Sequence, residues 1–142
     1  MSDLTAIERL LIEHAITRRI HLYARLNDAG DYQALAALYT EAGRFARPTD
    51  PDNFVEGRDA ILASFLARPA RLGRHVMANI VVDVENATTA RAISTILLFL
   101  GGDGADPVPI AATLVGEFAD RLEKIGGDWL FAERRGTVAM KG

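Results

Sequence analysis

The hydrophobic pattern of this chain changes period once, near Pro69, and that change restricts the fold more than any other feature. Before it, apolar residues recur mainly at helical spacing; after it, Val-, Ile- and Leu-rich stretches alternate with turn residues. Thr5 to Glu8 has the S/T-x-x-E form of a capping box, and Ile12, Ile16, Ile20 and Tyr23 then line one face of a long helix predicted to end near Gly30. Asp31 can cap a second helix that carries Leu35, Leu38 and Tyr39 on its inner side, stops before Gly43 and forms a hairpin with the first. Residues 44–56 contain Pro48 and Pro51 and read as a short strand at Arg44 to Arg47 followed by an irregular loop. Gly57 opens a third helix with Ile61, Leu62, Phe65 and Leu66 on one face, and Pro69 ends it.

Beyond the switch, extended runs cover His75 to Glu85, Ala90 to Leu100, Val108 to Glu123 and Asp128 to Val138. Asn86-Ala87-Thr88-Thr89, Gly101-Gly102-Asp103-Gly104 and Gly126-Gly127-Asp128 separate them, which predicts antiparallel pairing of consecutive strands. Helices followed by strands make an α+β domain, with helices covering one face of a bent antiparallel sheet. At 142 residues the chain suits a single domain, 1–142, that needs neither disulfide nor metal to complete its core. Ile93 to Leu100 is apolar at nearly every position, so both faces of that strand need cover. The helices supply one cover, and a second copy of the chain, in a dimer or trimer, is expected on the other, the alternative being a strand wrapped inside its own sheet.

Composition removes several function classes. Sixteen Lys and Arg against nineteen Asp and Glu leave a net charge of -3 with no long basic run, which argues against a nucleic-acid partner. The absence of cysteine rules out a disulfide framework, a thiol nucleophile and a thiolate metal site, and fits a cytoplasmic location. No window approaches the roughly eighteen apolar residues of a spanning helix. Met1-Ser2-Asp3-Leu4 does not begin like a secretory leader, so no membrane association is expected. H-E-x-x-H, P-loop and G-x-S-x-G sequences are lacking, and Gly101-Gly102-Asp103-Gly104 precedes Pro107 and a strand rather than a helix. His14 and His21 are separated on the first helix by about 10 Å along its axis, too far to share a metal. Neither metal nor cofactor is expected.

Two residues remain that could perform chemistry. His75 begins a strand just after the basic segment Arg68 to Arg74, and in an unbroken pleat it shares its side with Met77, Asn79 and Val81. Asp28 lies at the C-terminal end of the first helix, where the macrodipole is negative and an acid costs stability. From local sequence, Asp28 is solvated, a base, or the orienting partner of a basic histidine, and His75 is either a structural strand residue or that histidine. Asp31 reads as a helix cap.

Four pieces recur in a particular order: Tyr-x4-Asp-x2-Asp at Tyr23, Asp28 and Asp31; Gly57-Arg58 opening the third helix; His-x3-Asn at His75 and Asn79; and Gly127-Asp128-Trp129 leading into Arg134-Arg135. With them the chain resembles the SnoaL-like branch of the nuclear transport factor 2-like superfamily. The resemblance implies a cone of three helices closed by a strongly curved antiparallel sheet, whose interior is a small-molecule pocket. In how an Asp and a His are placed, the chain looks most similar to scytalone dehydratase, hexachlorocyclohexane dehydrochlorinase and bile acid dehydratase. That similarity puts Asp28 and His75 on a catalytic dyad, with the carboxylate orienting an imidazole that removes a proton from carbon. Asn27 stands where the scytalone-type site has a tyrosine, and Thr113, Val115 and Glu117 offer no second histidine on the later strand.

Tyr23, Asn79, Glu117 and Arg134 are the further candidates for orienting a substrate oxygen or assisting a leaving group, Tyr23 as a core residue whose hydroxyl reaches the cavity; Asn27 is a further substrate-binding candidate, and Met77, Phe118, Trp129 and Phe131 read as cavity wall or core. The function implied is a cofactor-free lyase or isomerase acting on a small apolar or cyclic molecule. A non-catalytic binding protein or structural small subunit of the same fold is the alternative, and a polyketide cyclase-like enzyme with Asp28 itself as base is the third reading.

Overall fold

The computed structural model describes residues 3–142; Met1 and Ser2, the start of the tetrapeptide discussed above, lie outside that range. Helix α1 (Ala6–Ala29) starts as predicted, with the Thr5 hydroxyl accepting the Glu8 N–H at 3.0 Å. Ile12, Ile16, Ile20 and Tyr23 form its buried stripe. Ile16 and Ile20 are fully buried, each contributing about 1.5–3 kcal/mol of hydrophobic stabilisation. Gly30 ends α1 in the left-handed conformation, φ 73°, which a side chain rarely adopts and which leaves Asn27 and Asp28 in the final turn.

The second helix is shorter than the sequence suggests. Asp31 caps α2 (Tyr32–Ala36) by accepting the Ala34 N–H at 3.3 Å, but strand β1 (Tyr39–Ala46) already begins at Tyr39. Leu35, Leu38 and Tyr39 are all buried, as helical spacing required. The aromatic and β-branched pair Tyr39-Thr40 instead enters the sheet, where Tyr39 lies opposite Phe131 in a parallel pairing. That long-range pairing overrides the local helical pattern. Strand β2 (Val55–Glu56) returns antiparallel on β1, and Gly57, φ 96°, caps α3 (Arg58–Leu66), whose Arg58 guanidinium donates to the Tyr39 carbonyl.

Strands β3 (Gly73–Val84), β4 (Thr89–Gly101), β5 (Ile110–Ile125) and β6 (Asp128–Lys141) pair antiparallel in succession, as the turn sequences predict. The sheet order is β2-β1-β6-β5-β4-β3, an α+β arrangement with a mostly antiparallel sheet and α1 lying across β3. The core sits between the helices and the inner face, around Tyr39, Phe65, Ile96, Leu122 and Phe131.

One irregularity changes which residues face inward. The β3–β4 register shifts between Ala78 and Val81, and Asn79 adopts φ 50°. This bulge reverses the side-chain alternation: His75 and Met77 turn inward before it, Ile80, Val82 and Val84 after it. Asn79 and Val81 consequently do not share the face of His75. On the outer face Val76, Val81 and Ile93 stay 45%, 54% and 44% exposed. Among the described residues no helix is long and apolar enough to cross a membrane.

Candidate active site

The final turn of α1 abuts the start of β3, which lies at the edge of the sheet. An edge strand leaves alternate N–H groups without a strand partner, and the Asp28 carboxylate takes the one at His75, with its oxygens at 3.1 and 3.0 Å. The same carboxylate meets the His75 side chain, Oδ1 standing 2.6 Å from Nδ1. An acid at a helix C-terminus is thereby compensated by two donors from one residue.

This geometry selects a tautomer. An ionised carboxylate only accepts, so Nδ1 carries the proton and Nε2 is the basic nitrogen. Asn27 Nδ2 lies 3.4 Å from Nε2, and Arg68 Nη1 lies 3.5 Å from Asn27 Oδ1. Because a guanidinium only donates, Arg68 orients the Asn27 oxygen toward itself and the amide N–H toward Nε2, which must then accept. Burial lowers the imidazole pKa from the ordinary 6.5; Asp28 opposes this, while the charges of Arg68 and Arg71 reinforce it. His75 is therefore neutral at neutral pH, and Nε2, which accepts only the long 3.4 Å contact from Asn27, is the nitrogen that can take a proton.

His75 belongs to the wall of a cavity of about 410 Å³. Tyr23, Phe45, Phe65 and Phe118 give it aromatic sides, Ile96, Leu98 and Leu114 an aliphatic floor, and Asn27, His75, Arg47, Arg68 and Arg71 its polar groups. The Tyr23 hydroxyl shares a 2.8 Å hydrogen bond with the Tyr39 hydroxyl, and burial pushes the Tyr23 phenol up to about 12, so it remains neutral.

Of the residues singled out in the sequence, Tyr23, Asn27, His75 and Phe118 line this cavity, and Asp28 borders a small recess behind His75. The others lie elsewhere. Asn79 is exposed because the bulge turns it outward, and Glu117 is exposed on the outer face between Thr95 and Thr137. Met77, Trp129 and Phe131 are core residues that do not reach the cavity wall.

Arg134 is fully buried: its Nε and Nη2 donate to the two Asp120 oxygens at 2.8 and 3.2 Å, its Nη1 has no hydrogen-bond partner, and its guanidinium carbon lies 4.4, 4.0 and 4.6 Å from the ring centres of Tyr23, Phe118 and Phe131. It supports the wall from behind rather than facing a ligand. Phe45, Phe65, Arg47, Arg68 and Arg71 were not anticipated as cavity residues; the basic segment ahead of His75 was the one signal pointing toward the last two. His14 and His21 are exposed on α1, and among the described residues no group of three His, Cys, Asp or Glu side chains could hold a metal.

A protein-family model described as "SnoaL-like domain" matches residues 8–135. Among solved structures, a protein provisionally described as a scytalone dehydratase from Novosphingobium aromaticivorans is similar at 25% identity, with a TM-score of 0.84 over 97% of this chain and 91% of that one. A protein from the same organism, described as NTF2-like with a cystatin-like fold, shares 26% identity with a TM-score of 0.75, covering 97% of this chain and 91% of its own. A hexachlorocyclohexane dehydrochlorinase of type 2 matches in fold alone, at 14% identity and a TM-score of 0.82 over 97% of this chain and 92% of that one. No curated protein matches.

Proposed function

The chain belongs to the SnoaL-like domain family, and from that premise and the geometry of its cavity we propose that it is a lyase or isomerase that removes a proton from carbon. His75 Nε2 is the base, and Asp28 fixes the imidazole tautomer and stabilises the imidazolium that forms. As the C–H bond breaks, its electron pair forms a double bond to the neighbouring atom. In an elimination, a leaving group departs with the bonding pair; in an isomerisation, the existing π pair of the neighbouring atom shifts outward and the proton is taken up at another carbon. The imidazolium then gives its proton to the leaving group, to the new carbon or to solvent.

The observation that carries this reading is the 2.6 Å contact between Asp28 Oδ1 and Nδ1 of His75, a residue lining an aromatic cavity, which leaves Nε2 as the basic nitrogen. The two neighbours described as a dehydratase and a dehydrochlorinase both carry the names of elimination enzymes, which is consistent with it. The same geometry disfavours Asp28 as the base itself, since both its oxygens are engaged by His75. A binding protein of this fold would need the cavity but not an oriented imidazole. A homo-oligomer built on the outer sheet face remains part of this reading.

The test is carbon-bound hydrogen exchange and elimination, followed by NMR in deuterium oxide over a panel of cyclic ketones and β-hydroxy ketones. Wild-type protein is expected to label or convert members of the panel, with a loss of about 10²-fold or more in His75→Ala and Asp28→Asn. Turnover unchanged in both variants would overturn the proposal.

A further inference from the structure

The cavity walls are apolar, yet its polar rim is cationic. Arg47 follows β1, while Arg68 and Arg71 follow α3, and all of them line the same 410 Å³ space as His75. None is paired: among the described residues no carboxylate lies within 4.0 Å of any of their charges. Arg47 donates to the Ser64 carbonyl at 3.0 Å, Arg68 reaches Asn27 at 3.5 Å and lies 4.7 Å over the Phe65 ring, and Arg71 is exposed. Asp28, the acid bordering the recess behind them, is occupied by His75.

Such an arrangement is electrostatically unfavourable when empty. Burial lowers the Arg68 pKa, and the charges of Arg47 and Arg71 lower it further. In a chain whose net charge is -3, this concentration of unpaired cations around an apolar hollow is not a reflection of overall composition. An incoming anion would relieve the repulsion and find guanidinium forks that match a carboxylate or phosphate.

We propose that the natural ligand is an apolar, ring-sized molecule bearing an anionic group, which Arg68 and Arg71, with Arg47, hold at the cavity rim. The inference rests on reading this cavity as the substrate site and specifies the class of substrate it takes. Arg68 is separated from His75 Nε2 by the Asn27 amide alone, so the anionic group lies close to the carbon that loses its proton. Carboxylate and phosphate share the required chemistry, and the experiment distinguishes them.

Binding of 1-naphthoate, 1-naphthyl phosphate and neutral 1-naphthamide is measured by calorimetry at low and high salt for wild-type protein, Arg68→Gln, Arg71→Gln and the double variant. At least one anion is expected to bind about tenfold more tightly than the amide, corresponding to one charge-assisted contact. That preference should fall with salt and disappear in the double variant, and the tighter anion identifies the group. Equal binding of anions and amide by the wild type, no anion binding at millimolar concentration, or a preference unchanged in a folded double variant would overturn the proposal. The wild-type comparison decides even if a variant fails to fold. Because the naphthyl probes report binding and deuterium exchange reports the base, an intact anion preference without His75-dependent exchange refutes proton abstraction alone. The converse refutes the anion site alone.

Discussion

Asp28 holds His75 at two points, its backbone N–H and its imidazole Nδ1, so one carboxylate fixes both the strand edge and the ring. Replacing it with asparagine leaves the shape but allows the amide N–H₂ to face a donor. Asp28→Asn should therefore lower turnover by about 10²–10⁴-fold with little change in binding of a neutral ligand. Steady-state kinetics with separate kcat and KM will show whether the loss falls on kcat.

The pH dependence follows from the direction in which His75 is shifted. Burial depresses its folded pKa below 6.5, so the unfolded chain binds more protons in the interval between the two values. The stability contributed by neutral His75 is complete above 6.5 and is lost as pH falls through the lower, folded pKa. The acid limb of activity should also lie below 6.5, and NMR titration of the imidazole alongside a pH–rate profile will locate both.

Asn27 presents an N–H to Nε2 at 3.4 Å, and a carboxylate in its place would do the opposite. Asn27→Asp should raise the His75 pKa, because a nearby negative charge favours imidazolium, and should move the acid limb of activity upward. An unchanged imidazole titration would contradict this arrangement.

The buried Arg134–Asp120 pair makes a stability prediction independent of chemistry. Both side chains are fully buried, so Asp120→Ala strands a cation among three aromatic rings and should cost about 3–5 kcal/mol. Replacing both partners with apolar residues, Asp120→Leu with Arg134→Met, should recover much of that loss. Urea denaturation of the single and double variants measures the difference.

Val76, Val81 and Ile93 form a half-exposed apolar area on the outer face of β3 and β4. If a second copy covers it, sedimentation will find an oligomer in the wild type and a shift toward monomer in Ile93→Lys or Val81→Lys.

The helix boundaries set by capping were legible because capping is local: Thr5, Gly30, Asp31 and Gly57 each act on N–H or C=O groups within a few residues. The antiparallel succession of strands was equally legible, since the turns that reverse the chain are written in Gly, Asn and Asp. Tyr39 reads as helical in the sequence because its pairing with Phe131 is parallel and distant, and no local pattern records it. Asn79 falls beside His75 only in an unbroken pleat, which the bulge removes. The inward positions are odd-numbered at His75 and Met77 and even-numbered at Ile80, Val82 and Val84, but the outward Val76 and Val81 are apolar too, so composition along the strand does not mark the shift. Arg134 looked available because charge usually implies exposure; its acid, Asp120, stands in a segment otherwise read only as a strand.

The extra residue at Asn79 divides β3 into two lengths whose inward positions are out of phase. The upstream length can be re-tailored for a different guest without rotating the packing beneath it, and repairs to that packing leave the imidazole where it was. A deletion at this point would abolish that independence, turning either the His75-bearing half of the strand or the half packed beneath α1 inside out.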